Sequence, residues 1–126
     1  MVRRLLLTLI TLFLAAFCGL GQAWEHSFAG DDLPTISQAE LPPQARETLR
    51  LIAEGGPFPY PRDGIPFGNY EKRLPLRPRN YYREYTVPTP GERNRGARRI
   101  ISGNNSERYY TPDHYRHFWR IHPHQP

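Results

Sequence analysis

Only one stretch of this 126-residue chain, LPPQARETLRLIAEGG at residues 41–56, repeats its apolar side chains at the spacing of a helix; after residue 69 the spacing becomes two. One helix followed by short alternating segments implies an α+β fold, with the N-terminal helix packed on a five-stranded antiparallel sheet. The helix carries its own start and stop. Pro42 and Pro43 suit a first turn, whose amide donors have no helical partner anyway. Ala45, Leu49, Ile52 and Ala53 make one apolar face, and Gly55-Gly56 end it. Strands are expected at about 70–74, 81–87, 97–102, 107–111 and 115–121. Turns fall at Pro88 to Gly96, Gly103-Asn104-Asn105 and Thr111-Pro112-Asp113. The Pro- and Gly-rich stretch PFPYPRDGIPFGN reads as an ordered loop that buries Phe58, Tyr60, Ile65 and Phe67. One sheet face then meets the helix, and the other is free to carry polar side chains.

Residues 1–23, MVRRLLLTLITLFLAAFCGLGQA, place two arginines before an apolar run and small residues after it. This is the pattern of a cleavable signal peptide, and it implies export to the periplasm or the medium. A membrane anchor would need a run of about 20 apolar residues. Bulky Phe17 before Cys18 speaks against a lipoprotein site. Cys18 is the single cysteine, so the mature chain from Trp24 has none and forms no disulfide. Residues 24–40 lack any period and read as a loosely held arm; 41–121 form the one domain, and 122–126 a tail.

Charge is divided along the chain. Residues 24–71 hold three arginines against eight carboxylates, and residues 72–126 hold twelve cations against four carboxylates. All but one of those twelve are arginine, the exception being Lys72. A guanidinium presents a planar fork that fits phosphate oxygens, so the C-terminal half suits a polyanion. A solvated basic face would share that composition.

Within this half, Glu84 stands alone among aromatics in YYREYT, and Arg93, Arg95, Arg98 and Arg99 follow. Side chains two apart on a strand point the same way. Tyr82, Glu84 and Thr86 therefore share a face, as do Arg95, Ala97 and Arg99. Pairing of 81–87 with 97–102 brings Glu84 near Arg99. A carboxylate beside guanidinium groups can serve as a base, while the arginines take up charge that develops on a phosphate. Metal-free cleavage of an RNA strand also needs an acid for the departing 5′-oxygen. His114 in TPDHYRHF is the candidate, since histidine titrates nearest neutral pH. Glu84 in a structural ion-pair network and His114 as an ordinary turn residue are the competing readings. His114 and His117 form H-x-x-H, but no third spaced ligand accompanies them, so no metal and no cofactor is expected. No P-loop, zinc spacing or G-x-S-x-G elbow occurs in the sequence.

Taken together, LPPQARETLRLIAEGGPFPYPRDGIPFGNYE, YYREYTVPTPGERNRGARRIISG and YYTPDHY resemble the small secreted guanyl-specific bacterial ribonucleases, the hundred-residue branch of the barnase superfamily. The resemblance runs from about Leu41 to Ile121. It implies the microbial ribonuclease fold, Glu84 as general base, His114 as general acid, and Arg95 and Arg99 on the phosphate with Tyr115. It also implies guanine recognition by Phe67, Gly68, Asn69, Tyr70 and Glu71. Glu71 would accept from the guanine N1–H and exocyclic amine, the one base edge with two adjacent donors; adenine would leave the carboxylate partly unpaired. The chain departs from the family at Tyr70, usually arginine, at Gly68, usually polar, and in lacking the disulfide that joins the two ends.

The expected protein is a secreted monomer that cleaves single-stranded RNA 3′ to guanosine through a 2′,3′-cyclic phosphate, without stable membrane association. A non-catalytic RNA-binding module on the same fold, or the same nuclease used as an interbacterial toxin, are the alternatives. A small acidic inhibitor of the barstar kind is an expected partner, because the cleft that takes phosphate attracts carboxylates.

Overall fold

The computed structural model describes residues 32–123, so the signal-peptide reading of 1–23 and most of the C-terminal tail lie outside the described residues. In chain order come β1 (Thr35–Ile36), a 3-10 turn (Gln38–Glu40), α1 (Pro43–Glu54), β2 (Ile65–Phe67), β3 (Tyr82–Thr86), β4 (Arg99–Gly103), β5 (Arg108–Thr111) and β6 (Trp119–Ile121). The strands form one sheet in the order β1-β6-β5-β4-β3-β2. All its pairings are antiparallel except β1 with β6, which run parallel.

The architecture is the expected helix on a sheet, with six strands in place of five. Two strands come from segments read otherwise. Thr35–Ile36, placed in the irregular arm, pair with Arg120–Ile121, and the Arg120 and His122 amides donate to the carbonyls of Pro34 and Ile36. Ile65–Phe67 lie in the segment read as a loop. As an edge strand, β2 tolerates Pro66, which supplies no amide donor.

The strand expected at 70–74 is a loop. Asn69 and Lys72 take left-handed backbone angles (φ 51° and 56°). The buried Asn69 amide closes the loop by bonding both the N–H and the C=O of Leu74, at 3.1 and 3.0 Å. The last strand is shorter than expected, because residues 112–118 form a turn and β6 starts at Trp119.

Helix α1 follows its sequence signals, with Pro43 as its first residue and Gly55 left-handed at its end (φ 80°). Its buried residues are Ala45 and Thr48; Leu49 and Ile52 are half-buried, and Ala53 is exposed instead of joining the apolar face. The Thr48 hydroxyl faces the Gln44 and Thr86 carbonyls at 3.0 and 3.3 Å, tying the helix to β3.

Strand alternation produces two cores. On the helix face, Val87, Ile100, Tyr110 and Ile121 pack with Leu41 and Ala45. The other face, expected to be polar, holds a second cluster of Leu74, Tyr82, Ile101, Tyr109 and Phe118. That cluster lies toward one end of the strands. At the other end the same face carries Glu84, Thr86, Arg99 and Thr111, all buried.

Candidate active site

Glu84 lies at the centre of β3, flanked by Ile65 of β2 and Ile101 of β4. Only 7% of it is exposed, so its charge has to be met by the protein. Two groups do so directly. Arg95 Nη2 donates to Oε1 at 3.1 Å, and the Tyr115 hydroxyl donates to Oε2 at 2.6 Å. Arg62 Nε stands 3.9 Å from Oε1. Arg95 is itself oriented by a second bond, from Nε to the Thr86 hydroxyl at 3.0 Å.

Arg99 lies near Glu84 on the same face, as the strand pairing predicts, but makes no direct ion pair with it among the described residues. It pairs across the sheet with Thr86, one step along the face. Its guanidinium donates to the Gly96 and Arg98 carbonyls at 3.0 and 2.7 Å, which braces the turn that delivers Arg95. The side chain is buried, yet its Nε has no partner among the described residues. A buried guanidinium N–H without an acceptor is costly, and the bonds to Gly96 and Arg98 are what hold this side chain in place.

The His114-Tyr115 step is held in a strained backbone conformation by its surroundings. Both residues are left-handed, with φ of 54° and 70°. Neither is glycine, and such angles persist only where the surroundings enforce them. Here the fully buried Thr111 supplies an oxygen that accepts from the Tyr115 amide at 3.1 Å, while its hydroxyl donates to Asp113 at 3.1 Å. Asp113 also accepts from the His117 amide at 2.9 Å and pairs with the His117 ring. The His114 amide donates to Ala97 O at 2.8 Å, binding this turn to the one that carries Arg95.

His114 is exposed, with its ring centroid 4.9 Å from that of Tyr115. Imidazole and carboxylate thus flank one phenol. Of the H-x-x-H pair, His117 is taken by Asp113; among the described residues no group of three His, Cys, Asp or Glu side chains could hold a metal ion. The Tyr115 hydroxyl is pushed well above the ordinary tyrosine range, first by burial and then by its bond to the Glu84 carboxylate and that group's charge, against a smaller opposing pull from Arg99.

The other predicted residues line a cleft of about 290 Å³ that reaches from Glu84 and Tyr115 to the 67–71 loop. Phe67 stacks on Tyr115 with centroids 4.9 Å apart and rings inclined by 29°. Asn69 spends its side chain on closing the loop, which leaves backbone groups for any ligand. Glu71 is exposed and bound by Arg73, whose Nε and Nη2 reach Oε2 at 2.8 and 2.7 Å. Arg73 also donates to the Arg116 carbonyl at 2.7 Å, linking this loop to the His114 turn. Gly68 and Tyr70 form a unit: a Cβ on Gly68 would come within 2.5 Å of the Tyr70 ring.

Sequence reasoning passed over Arg62 and Arg73. Arg62 is a lone cation in a proline-rich stretch and gives no periodic signal. Period-two spacing puts Arg73 on the expected strand at 70–74, and its spacing of two from Glu71 becomes a pairing only in the turn that exists there. Asp63 was also missed. Its carboxylate accepts from the Thr86 amide at 2.7 Å and the Tyr60 amide at 3.1 Å, which fastens the Arg62 loop to β3.

The chain is similar to known proteins in sequence and in fold. The sequence profile of the family described as ribonuclease matches residues 25–122. Guanyl-specific ribonuclease Sa of Kitasatospora aureofaciens is 55% identical over 85 residues, covering 67% of this chain and 88% of its own. Guanyl-specific ribonuclease Sa3 of the same organism is 55% identical over 87 residues, covering 68% of this chain; the match spans 62% of that relative's length. Among solved structures, ribonuclease Sa2 with guanosine-2′-cyclophosphate superposes with a TM-score of 0.71 at 48% identity, covering 74% of this chain and 99% of its own.

Proposed function

We propose, for a chain that belongs to the ribonuclease family, a guanyl-specific endoribonuclease that cuts single-stranded RNA on the 3′ side of guanosine. The observation that carries this reading is Glu84. It is a buried carboxylate bonded to Arg95 and Tyr115, at one end of a cleft whose other end is the 67–71 loop.

In this reading the guanine lies against the loop. Backbone amides of Gly68 to Tyr70 donate to its O6, and Glu71 accepts from N1–H and the exocyclic amine. Both Arg73 contacts fall on Oε2 of Glu71, so Oε1 has no partner among the described residues. The scissile phosphate sits at Arg95 and Tyr115, with the Arg99 guanidinium adding charge from behind, and Arg62 adds a further positive charge at the entrance. Glu84 takes the proton of the ribose 2′-hydroxyl as that oxygen attacks phosphorus. The P–O5′ bond breaks, and His114 protonates the leaving oxygen. The products of this step are a 2′,3′-cyclic phosphate and a free 5′-hydroxyl. Water then opens the ring to a 3′-phosphate, with His114 removing its proton and Glu84 supplying one to the 2′-oxygen. Guanidinium groups held in place before the reaction lower the cost of charge on the phosphorane.

Protein groups fill every role in this reading, so turnover on guanylyl-3′,5′-cytidine should persist in EDTA. Fragment ends from one defined RNA should show cuts concentrated 3′ to G. Binding without any cleavage, in a preparation of intact fold, would reduce the protein to an RNA-binding module. The leader at 1–23 supports export, and the arginine cleft supports a small acidic protein inhibitor that mimics phosphate.

A further inference from the structure

A second cleft, of about 420 Å³, lies against residues 66–70 as the first does. The first cleft contains Glu84 and Tyr115; the second contains neither. Its cations are Lys72, Arg77 and Arg79. None of the three forms an ion pair among the described residues, in contrast to Arg50, Arg62, Arg73 and Arg95. Arg77 lies 5.6 Å from the centre of the Tyr81 ring, and the buried Tyr82 lines the cleft with its hydroxyl turned to Pro75 O at 2.5 Å.

Two large apolar side chains are conspicuously exposed in the described structure, Tyr70 at 92% and Leu76 at 52%, and both line this cleft. Unpaired cations beside an exposed aromatic ring are the elements of a single-strand nucleic-acid track: phosphates meet the cations, and a base stacks on the ring.

The inference rests on the guanosine reading of the first cleft. There the 3′-phosphate points to Glu84, Arg95 and Tyr115. Residues 66–70 line both clefts, so a strand that continues from that nucleotide's 5′-oxygen over this segment enters the second cleft. We infer that the second cleft binds the RNA on the 5′ side of the target guanosine, with a base on Tyr70 and phosphates on Lys72 and Arg79.

The test uses two uncleavable tetranucleotides carrying 2′-deoxyguanosine, A-A-dG-C and dG-C-A-A, titrated into the whole protein by calorimetry. The wild type should bind the 5′-extended one about tenfold more tightly, from one stacked base and its phosphates. The double variant Lys72→Gln/Arg79→Gln should lose that advantage and leave dG-C-A-A unchanged. Its log K against log salt should flatten by about 1.4 for A-A-dG-C, from two lost phosphate contacts. Equal affinity of the two oligonucleotides for the wild type overturns the inference. So does an equal loss on both in the variant, which would mark the cations as a general field only. Turnover of guanylyl-3′,5′-cytidine, which lacks any 5′ extension, is measured on the same preparations. Its absence would remove the cleavage reading while a 5′ preference in binding stood.

Discussion

Tyr85 and Glu84 are neighbours in β3 and serve different ends. Tyr85 belongs to the face covered by α1, where the central packing of Val87, Ile100 and Ile121 is apolar. Glu84 belongs to the face where buried tyrosines give way to a buried carboxylate, a buried arginine and two buried threonines. One face lowers its free energy by excluding water. The other holds charged groups out of water, with a guanidinium N–H that has no partner among the described residues, two left-handed residues in succession and an exposed imidazole. Strand parity separates the faces, and position along the strand separates core from chemistry within the second: Tyr82 packs in its apolar cluster, while Glu84 and Thr86 lie at the charged end.

Substitutions should therefore divide by face. The largest effect falls on the cleft side: Glu84→Gln or His114→Ala should lower kcat on a guanosine dinucleotide by about 10²–10⁴-fold, with a smaller change in KM. Full turnover in either variant removes the role assigned to that residue. Next comes the helix side. Ile100→Ala should cost about 2–5 kcal/mol in urea unfolding, with kcat per folded molecule unchanged. A matching fall in kcat would show that the faces are coupled and not separate.

The third prediction concerns alkali. Burial raises the hydroxyls of Tyr82, Tyr109 and Tyr110, and burial with the Glu84 bond raises that of Tyr115. Unfolded tyrosines ionise near pH 10, so above that pH the unfolded chain sheds protons that the fold retains. Stability is complete below about pH 10 and falls as pH rises through the raised values. Three of the four tyrosines stand on the cleft side. Their Phe variants together should flatten the alkaline fall more than Tyr110→Phe alone, as read from urea midpoints at pH 9, 10 and 11.

The smallest effect tests the Gly68–Tyr70 unit. Gly68→Ala should cost within about 1 kcal/mol, because the exposed Tyr70 ring can move, and the cost should vanish in a Tyr70→Ala background. Additive costs would show that the ring does not lie over residue 68 in solution.

Where local chemistry decides, the sequence was readable. Prolines and a glycine bound α1, and alternation located β3, β4 and β5. Parity also set Glu84 on the face with Thr86. The failures share a cause: partners distant in the chain. Nothing within Thr35–Ile36 announces a strand whose partner lies at Arg120–Ile121, and Pro66 conceals an edge strand. Arg95 and Arg99 share a face by parity only if the strand reaches back to 95. It starts at Arg99, so Arg95 enters from a turn and takes the place beside Glu84 while Arg99 braces the backbone. Arg62 reaches the carboxylate from a loop whose path depends on Asp63 and an amide of β3, and no local pattern encodes that reach.

The parallel seam between β1 and β6 has a mechanical consequence. A tether entering ahead of Pro34 and a load applied beyond His122 would pull these two strands in opposite senses along their own axes. The hydrogen bonds between them would be stretched together instead of opening one after another like a zip. A chain without a cysteine pair to lock its ends thus closes them with a shear joint, and extension from the termini meets that joint before it reaches the buried charges of the cleft.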